Sequence, residues 1–474
     1  MSEGVHHSPP REACGVFGVM APGAPVAYLV FDGLFALQHR GQESAGMAVT
    51  DGHDMVVVKD MGLVTNVFNE YKLAGLQGHL AVGHTRYSTT GASTWRAAQP
   101  VHRTAGERAF ALGHNGNLTN TEALAEEIGM LPGTIASDSD LVAEMLVLHL
   151  DAHAGDDLVD ALEAVLPRLE GAFSLVLVDH QRLIGVRDPN GFRPLCLGET
   201  AGGGTLLASE TPALDVCGAR FVRDIGPGEM VVVDGGGQRS VFPWPPQRIE
   251  PRLCLFEFVY LARPDSRLYG QEVHLARLRM GELLAAQAPA AADMVMGVPD
   301  SGIPAAEGFA RASGIPFGQG LVKNRYIGRT FIAPEQAQRD AGVRRKLNPL
   351  RDSIAGKRLV VVDDSIVRGT TTRAMVGMLR DAGAREVHLR VSSPPYRWPC
   401  YFGLDTGSRD ELIAARLSVE EIGGYLGADS LAYLGLEDLK RATGVAAGGF
   451  CDACLTGDYP VAVPATLMAG HVGR

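Results

Sequence analysis

The chain has 474 residues, a formal net charge of −11 and seven cysteines, with 46% hydrophobic and 20% charged residues. The length suits roughly two to four domains, and the acid excess excludes non-specific nucleic-acid binding. No apolar run approaches the roughly 18 residues of a membrane span, the N-terminus lacks the basic-then-apolar order of a secretory signal, and an odd cysteine count makes no disulfide framework. The composition is that of a soluble cytoplasmic protein whose cysteines serve metal binding or catalysis in a reducing compartment.

The first thirteen residues, MSEGVHHSPPREA, are polar and carry two prolines. Residues 1–13 read as a leader whose removal makes Cys14 the first residue of a mature chain. An N-terminal nucleophile then has its own α-amino group as base. Residues 14–242 alternate short apolar runs with Gly, Asp and Asn turns. LAVGHTRYST (80–89), AFALGHNGNL (109–118), AFSLVLVD (172–179) and EMVVVDG (229–235) are predicted strands. Three- and four-residue apolar spacing predicts helices over 140–150 and 157–169. FPWPPQRIEP then makes a stiff connector, placing a domain boundary at 243–251. Beyond it, ADMVMGVPD, KRLVVVDDS and EVHLRVSSPP are apolar runs ending in polar loops, with helical patterns between them. That alternation predicts a parallel α/β sheet over 252–445. Residues 446–474 form a Gly-rich tail containing CDAC.

VVVDDSIVRGTTT (360–372) carries the most chemistry. A buried strand ends at Asp363 and Asp364, and a hydroxyl- and glycine-bearing loop leads into a helix. Free backbone N–H groups and hydroxyls at a helix start make an anion cradle, and paired acids beside it suit a sugar phosphate. The loop lacks the Gly-Lys-Ser/Thr ending of a Walker A motif, so ATP hydrolysis is not implied. Cys451 and Cys454 form the one local metal-ligand spacing. With Cys254 and Cys400 they make four thiolates, enough for tetrahedral zinc or an iron–sulfur cluster, and spacing alone does not choose.

The 360–372 string closely resembles the phosphoribosyl-pyrophosphate (PRPP) motif of type I phosphoribosyltransferases. The resemblance implies that Asp363 and Asp364 hold the ribose hydroxyls while Ser365, Arg368, Gly369, Thr370 and Thr371 hold the 5-phosphate. It implies one Mg²⁺ at the acidic pair, with Ser301 of GVPDSGIPAA (297–306) at the Mg²⁺–pyrophosphate group. KNRYIGRTFI (323–332) resembles the lid over PRPP, through Lys323 and Arg325. CGVFG at Cys14 resembles the start of class II glutamine amidotransferases, which are N-terminal-nucleophile (Ntn) hydrolases with an αββα sandwich. HRGQESAG (39–46), GHTRYST (83–89), GHNGNL (113–118) and SDSD (137–140) resemble further parts of that site. By this resemblance Cys14 is the nucleophile, Asn115 and Gly116 form the oxyanion hole, and Arg86 and Asp138 bind the glutamine α-carboxylate and α-ammonium. His39 and His84 are expected to be structural.

From Cys14 to Cys454 the chain resembles the amidophosphoribosyltransferase family, in its iron–sulfur, propeptide-processed form. That implies a [4Fe–4S] cluster on Cys254, Cys400, Cys451 and Cys454, in a structural or oxygen-sensing role. Cys196 and Cys217 are expected in the core. The implied reaction converts glutamine, PRPP and water to 5-phosphoribosylamine, glutamate and pyrophosphate, the first committed step of purine synthesis, with ammonia passing between domains. A homotetramer and feedback by purine nucleotides belong to the same expectation. Glucosamine-6-phosphate synthase would need a sugar-isomerase domain and asparagine synthetase an ATP-pyrophosphatase loop. A regulator built on an inactive phosphoribosyltransferase would have no use for Cys14, Arg86 and Asn115 together.

Overall fold

The computed structural model describes residues 14–87, 94–130, 136–324, 346–404, 406, 408–446 and 449–470. Residues 1–13, expected to be a leader, and Arg325 lie outside the described residues. The first half of the chain supplies thirteen described strands: β1 (Gly15–Met20), β2 (Ser44–Thr50), β3 (Met55–Met61), β4 (Leu80–Arg86), β5 (Val101–Ala105), β6 (Arg108–Leu118), β7 (Gly171–Val178), β8 (Leu183–Arg187), β9 (Cys196–Thr200), β10 (Thr205–Ala208), β11 (Ala219–Asp224), β12 (Met230–Asp234) and β13 (Gly237–Val241). Among the described residues they form a seven-stranded sheet, β11-β9-β10-β1-β4-β2-β3, and a six-stranded sheet, β13-β12-β8-β7-β6-β5.

The inner strands are buried along their whole length because both sheet faces are covered, which is why they read as continuous apolar runs rather than alternating ones. Val16, Val82, Val176, Leu207 and Val231 fill the layer between the sheets. Gly18 permits their close approach, since a Cβ there would lie 2.5 Å from Val176 Cγ1. Helices Val26–Ala36 and Thr211–Val216 cover the first sheet, and Asp138–Ala152 and Leu158–Val165 cover the second. The result is the expected αββα sandwich. The helix expected over 157–169 turns 3₁₀ at Leu166–Arg168, where Pro167 lacks the N–H that would continue it. The proline connector packs onto this domain through buried Trp244, whose ring lies 6.1 Å from that of Phe173.

The second domain holds four parallel strands in the order Met294–Gly297, Arg358–Asp363, Glu386–Val391 and Ser430–Tyr433. Helices Val273–Gln287 and Ile303–Ser313 pack on one face, and Thr370–Asp381 and Val419–Leu426 on the other. The tail returns to the domain's first strand. Gly449–Cys451 pairs in parallel with Arg252–Cys254, setting Cys254 opposite Cys451. No described helix is long and apolar enough to cross a membrane.

Buried charge joins the two domains. Arg40 and Arg193 of the first both bind Glu257 of the second, Arg40 Nη2 at 2.6 Å and Arg193 Nη1 at 3.2 Å. Glu210 accepts from Arg40 and His39 on its own side and from Ser266 and the Arg263 N–H on the other. Arg40, Arg193, Glu210 and Glu257 are almost wholly shielded from solvent.

Candidate active sites

Pairing of β1 with β4 brings Cys14 beside the end of β4, where Tyr87 N–H lies 3.4 Å from its sulfur. The thiol is buried. Burial raises its pKa above the ordinary thiol value, against the Tyr87 N–H and the charge of Arg86, while Asp138 and Glu43 raise it further. A neutral thiol of this kind needs a base to become a nucleophile. The charges of Arg86 and Asp138 are both felt at the sulfur.

Arg86 is only 4% exposed; its Nη1 has no hydrogen-bond partner among the described residues, and Glu43 Oε2 stands 3.9 Å away. A buried guanidinium with an idle nitrogen is a receptor for a carboxylate. Asp138 opens the helix Asp138–Ala152, where the positive helix end favours its charge. Its carboxylate accepts from Leu118 N–H at 3.2 Å and Ser139 N–H at 2.8 Å. Burial pushes its pKa up, but the charge of His114 and these hydrogen bonds outweigh it and hold the group below the usual carboxylate range. It is a standing anion suited to an ammonium.

Asn115 is completely buried, yet neither its Nδ2 nor its Oδ1 finds a partner among the described residues. An unpaired buried amide costs free energy, on the order of 1–3 kcal/mol, so such a donor is expected where a ligand completes it. Gly116 has φ of +149°, and a Cβ there would collide with the Ala172 carbonyl. His84 is neutral, its pKa depressed by burial to about 3, and it donates from Nε2 to the His114 carbonyl at 2.9 Å. His39 is occupied at the domain interface, where its Nε2 lies 2.7 Å from Glu210 Oε1. Glu43 and His114 were missed as parts of this site; both sit inside motifs already recognised, HRGQESAG and GHNGNL.

In the second domain Asp363 and Asp364 stand at the C-terminal edge of the parallel sheet, where ligands of open α/β sheets bind. Burial and then Asp364 raise the pKa of Asp363 well above the carboxylate range. Burial raises Asp364 too, against hydrogen bonds from Ser301 and Ser365 and the charge of Arg277. Adjacent acids, Asp364 buried and Asp363 half-buried, resist joint ionisation and form a site that a cation or a pair of hydroxyl donors relieves. Ser301 Oγ donates to Asp364 and Ser365 Oγ donates to its other oxygen at 2.5 Å, so the 297–306 turn and the acidic pair form one site. Gly369 adopts φ of +76° and caps the helix Thr370–Asp381, with Thr370 and Thr371 in its first turn. Arg368 Nε is held by Glu411 at 2.8 Å, leaving its buried Nη1 without a partner among the described residues. Lys323 Nζ reaches Asp300 across the mouth at 2.6 Å, on the exposed side.

The four remote cysteines converge. Cys254, Cys400, Cys451 and Cys454 line one small cavity with Arg193, Phe402 and Tyr459. They are free thiols, and burial pushes Cys254 up to about 11 and holds Cys451 and Cys454 well above the ordinary thiol value. Four thiolates gathered in one cavity suit tetrahedral zinc or an iron–sulfur cluster. Cys196 is buried and Cys217 half-buried, both apart from the cage.

Comparison with known proteins finds one domain in each half of the chain. Residues 84–216 match a glutamine amidotransferase domain and residues 276–393 a phosphoribosyl transferase domain. The amidophosphoribosyltransferase of Mycobacterium tuberculosis is 51% identical over 97% of this chain and 89% of its own length. That of Synechococcus elongatus is 52% identical over 96% and 92%. A solved glutamine PRPP amidotransferase from B. subtilis, complexed with ADP and GMP, superposes with a TM-score of 0.88 at 42% identity, covering 95% of this chain and 98% of that one. With both domains matched and relatives about half identical over nearly its full length, the chain belongs to the amidophosphoribosyltransferase family.

Proposed function

We propose that this enzyme makes 5-phosphoribosylamine from PRPP with ammonia taken from glutamine, the first committed step of purine synthesis. The observation that carries the reading is a buried Cys14 under the charges of Arg86 and Asp138, in a domain whose Asn115 amide is buried and unpaired. Arg86 and Asp138 grip the glutamine α-carboxylate and α-ammonium and leave the side-chain carbonyl at Cys14. With residues 1–13 removed, the α-amine of Cys14 takes the thiol proton, and the sulfur attacks that carbonyl. Asn115 and Gly116 receive the oxyanion. Such a donor typically contributes a few kcal/mol at the transition state. The same amine returns a proton to the departing ammonia, and water cleaves the thioester to glutamate.

In the second domain Asp363 and Asp364 accept the ribose hydroxyls, and the loop Ser365–Thr371 holds the 5-phosphate. The acids favour positive charge on the ribose as pyrophosphate leaves, while Ser301 and Lys323 face the leaving group. Ser301, Asp363 and Asp364 form an oxygen donor set that fits Mg²⁺, which when bound neutralises pyrophosphate charge. Ammonia must travel between the sites without meeting water, since ammonium is no nucleophile. The cysteine cage fits a [4Fe–4S] cluster on Cys254, Cys400, Cys451 and Cys454, a group that when bound ties the tail to the domain core. A cytoplasmic homotetramer inhibited by purine nucleotides completes the proposal.

The test is one anaerobic preparation. Its intact mass should begin at Cys14, with about four irons and four sulfides per chain. It should release pyrophosphate from PRPP with glutamine or ammonia. Asn115→Ala should lower glutamine-dependent kcat about 10²–10³-fold and leave ammonia-dependent transfer intact. A chain retaining residues 1–13, or equal loss with both nitrogen donors, contradicts the mechanism.

A further inference from the structure

The loop Cys400–Leu404 belongs to the second domain, yet it lies against the oxyanion strand of the first. Gly403 has φ of +107°, and a Cβ there would lie 3.3 Å from both Cα and C of Gly116 and 3.2 Å from Arg193 Nη2. Within its own sheet Gly116 lies so close to the neighbouring strand that a Cβ on it would strike the Ala172 carbonyl. It is therefore held between its own sheet and a glycine from the other domain. One residue further on, Asn117 Nδ2 donates to the Tyr401 carbonyl at 2.9 Å.

The loop is itself fixed from both domains. Arg193 donates to the Phe402 carbonyl from Nε at 3.1 Å and Nη2 at 2.7 Å, and reaches Glu257 with Nη1. The Phe402 ring stacks on Phe192 with centroids 4.6 Å apart. At its start Phe402 N–H points to Cys400 Sγ at 3.4 Å, and Cys400 N–H is held by Thr406 Oγ1 at 2.8 Å.

We propose that Gly403 and the loop around it brace the oxyanion hole, so that the second domain sets the geometry in which glutamine is cleaved. The inference rests on the proposed function. Oxyanion donors act only where they meet the developing charge, and a shift of a few tenths of an ångström weakens them without altering the ground-state grip on substrate. Gly403 is a positioning residue: it touches Gly116, while Arg86 and Asp138, which hold glutamine, lie on other strands and helices. Cys400 anchors the brace, so filling the cysteine cage and cleaving glutamine share one support.

Gly403→Ala introduces a methyl that must displace Gly116 or Arg193. The expected result is a fall of about tenfold or more in glutamine-dependent kcat, with KM for glutamine and ammonia-dependent transfer within about twofold of wild type. Labelling of Cys14 by the glutamine analogue 6-diazo-5-oxo-L-norleucine, followed by intact mass, should slow in the same proportion. Asn117→Ser, which removes the bond to Tyr401 without backbone strain, should act in the same direction and covers the case in which Gly403→Ala does not fold. Equal loss of glutamine- and ammonia-dependent transfer in Asn117→Ser would mean general disruption and overturn the brace. So would wild-type glutamine kcat in a folded Gly403→Ala. Absence of glutamine-dependent transfer in the wild-type protein, with ammonia-dependent transfer present, overturns the functional reading and the brace with it.

Discussion

Arg86 shows how a single side chain acquires a task. A guanidinium is costly to bury, yet among the described residues Nη1 of this one has no hydrogen-bond partner and stands 3.9 Å from Glu43. A planar carboxylate is the anion its fork fits. Lysine at this position keeps the charge and loses the paired geometry. Arg86→Lys should therefore raise KM for glutamine about tenfold or more while ammonia-dependent transfer stays unchanged, as steady-state kinetics with each nitrogen donor will show. Cys14 is the complementary case: burial holds it as a thiol, so its reactivity must come from a neighbouring base rather than from a depressed pKa.

At the scale of the element, the strand Arg358–Asp363 delivers two carboxylates to one sheet edge. Its interior is fully apolar and fixes the register with both neighbouring strands, so the acids cannot move apart by sliding. Asp363 suffers most, its pKa raised well above the carboxylate range by burial and by Asp364. The folded chain thus holds a proton more tightly than the unfolded one. Without ligand this lowers stability as pH rises above the usual carboxylate range. Asp363→Asn removes the cost. The variant should melt higher than wild type at neutral pH in the absence of Mg²⁺ and PRPP, by a thermal scan, and should lose PRPP turnover about 100-fold or more. A melting point that falls, or stays put with Mg²⁺ and PRPP absent, contradicts the repulsion argument. Stability here is given up for a site that ligand completes.

Across the whole molecule the two catalytic domains are joined by buried charge. Burial would raise the pKa of Glu210, but Arg40, then His39 and Ser266, hold it well below the carboxylate range. Its contribution is therefore present above the usual carboxylate pKa and lost as pH falls below it. Glu210→Ala leaves Arg40 short of a partner in a closed interface and should cost about 3–5 kcal/mol, read as a lower melting temperature at pH 7. The difference between variant and wild type should narrow as pH is lowered through the acid range. A difference independent of pH would show that packing, not charge, joins the domains there.

Local pattern determined the two-domain plan and the helix and strand kinds, and the resemblance of a few short strings to known families named the candidate residues of both sites, because each lies in a string whose chemistry is local. The DDS turn needs a strand before it and a helix after it, and the hydrophobic periods supply both. What the sequence left open was every relation between distant residues. Glu257 reads as a lone acid in an apolar run, and only folding shows it between Arg40 and Arg193. The four cysteines are spread from 254 to 454, and their meeting in one cavity depends on the tail pairing with the strand Arg252–Cys254. Gly403 carries no sequence signal beyond being a glycine, since its importance lies in what is absent between it and Gly116. Period and propensity act over a few residues, whereas close approach, charge pairing and cage assembly are set by how whole domains pack.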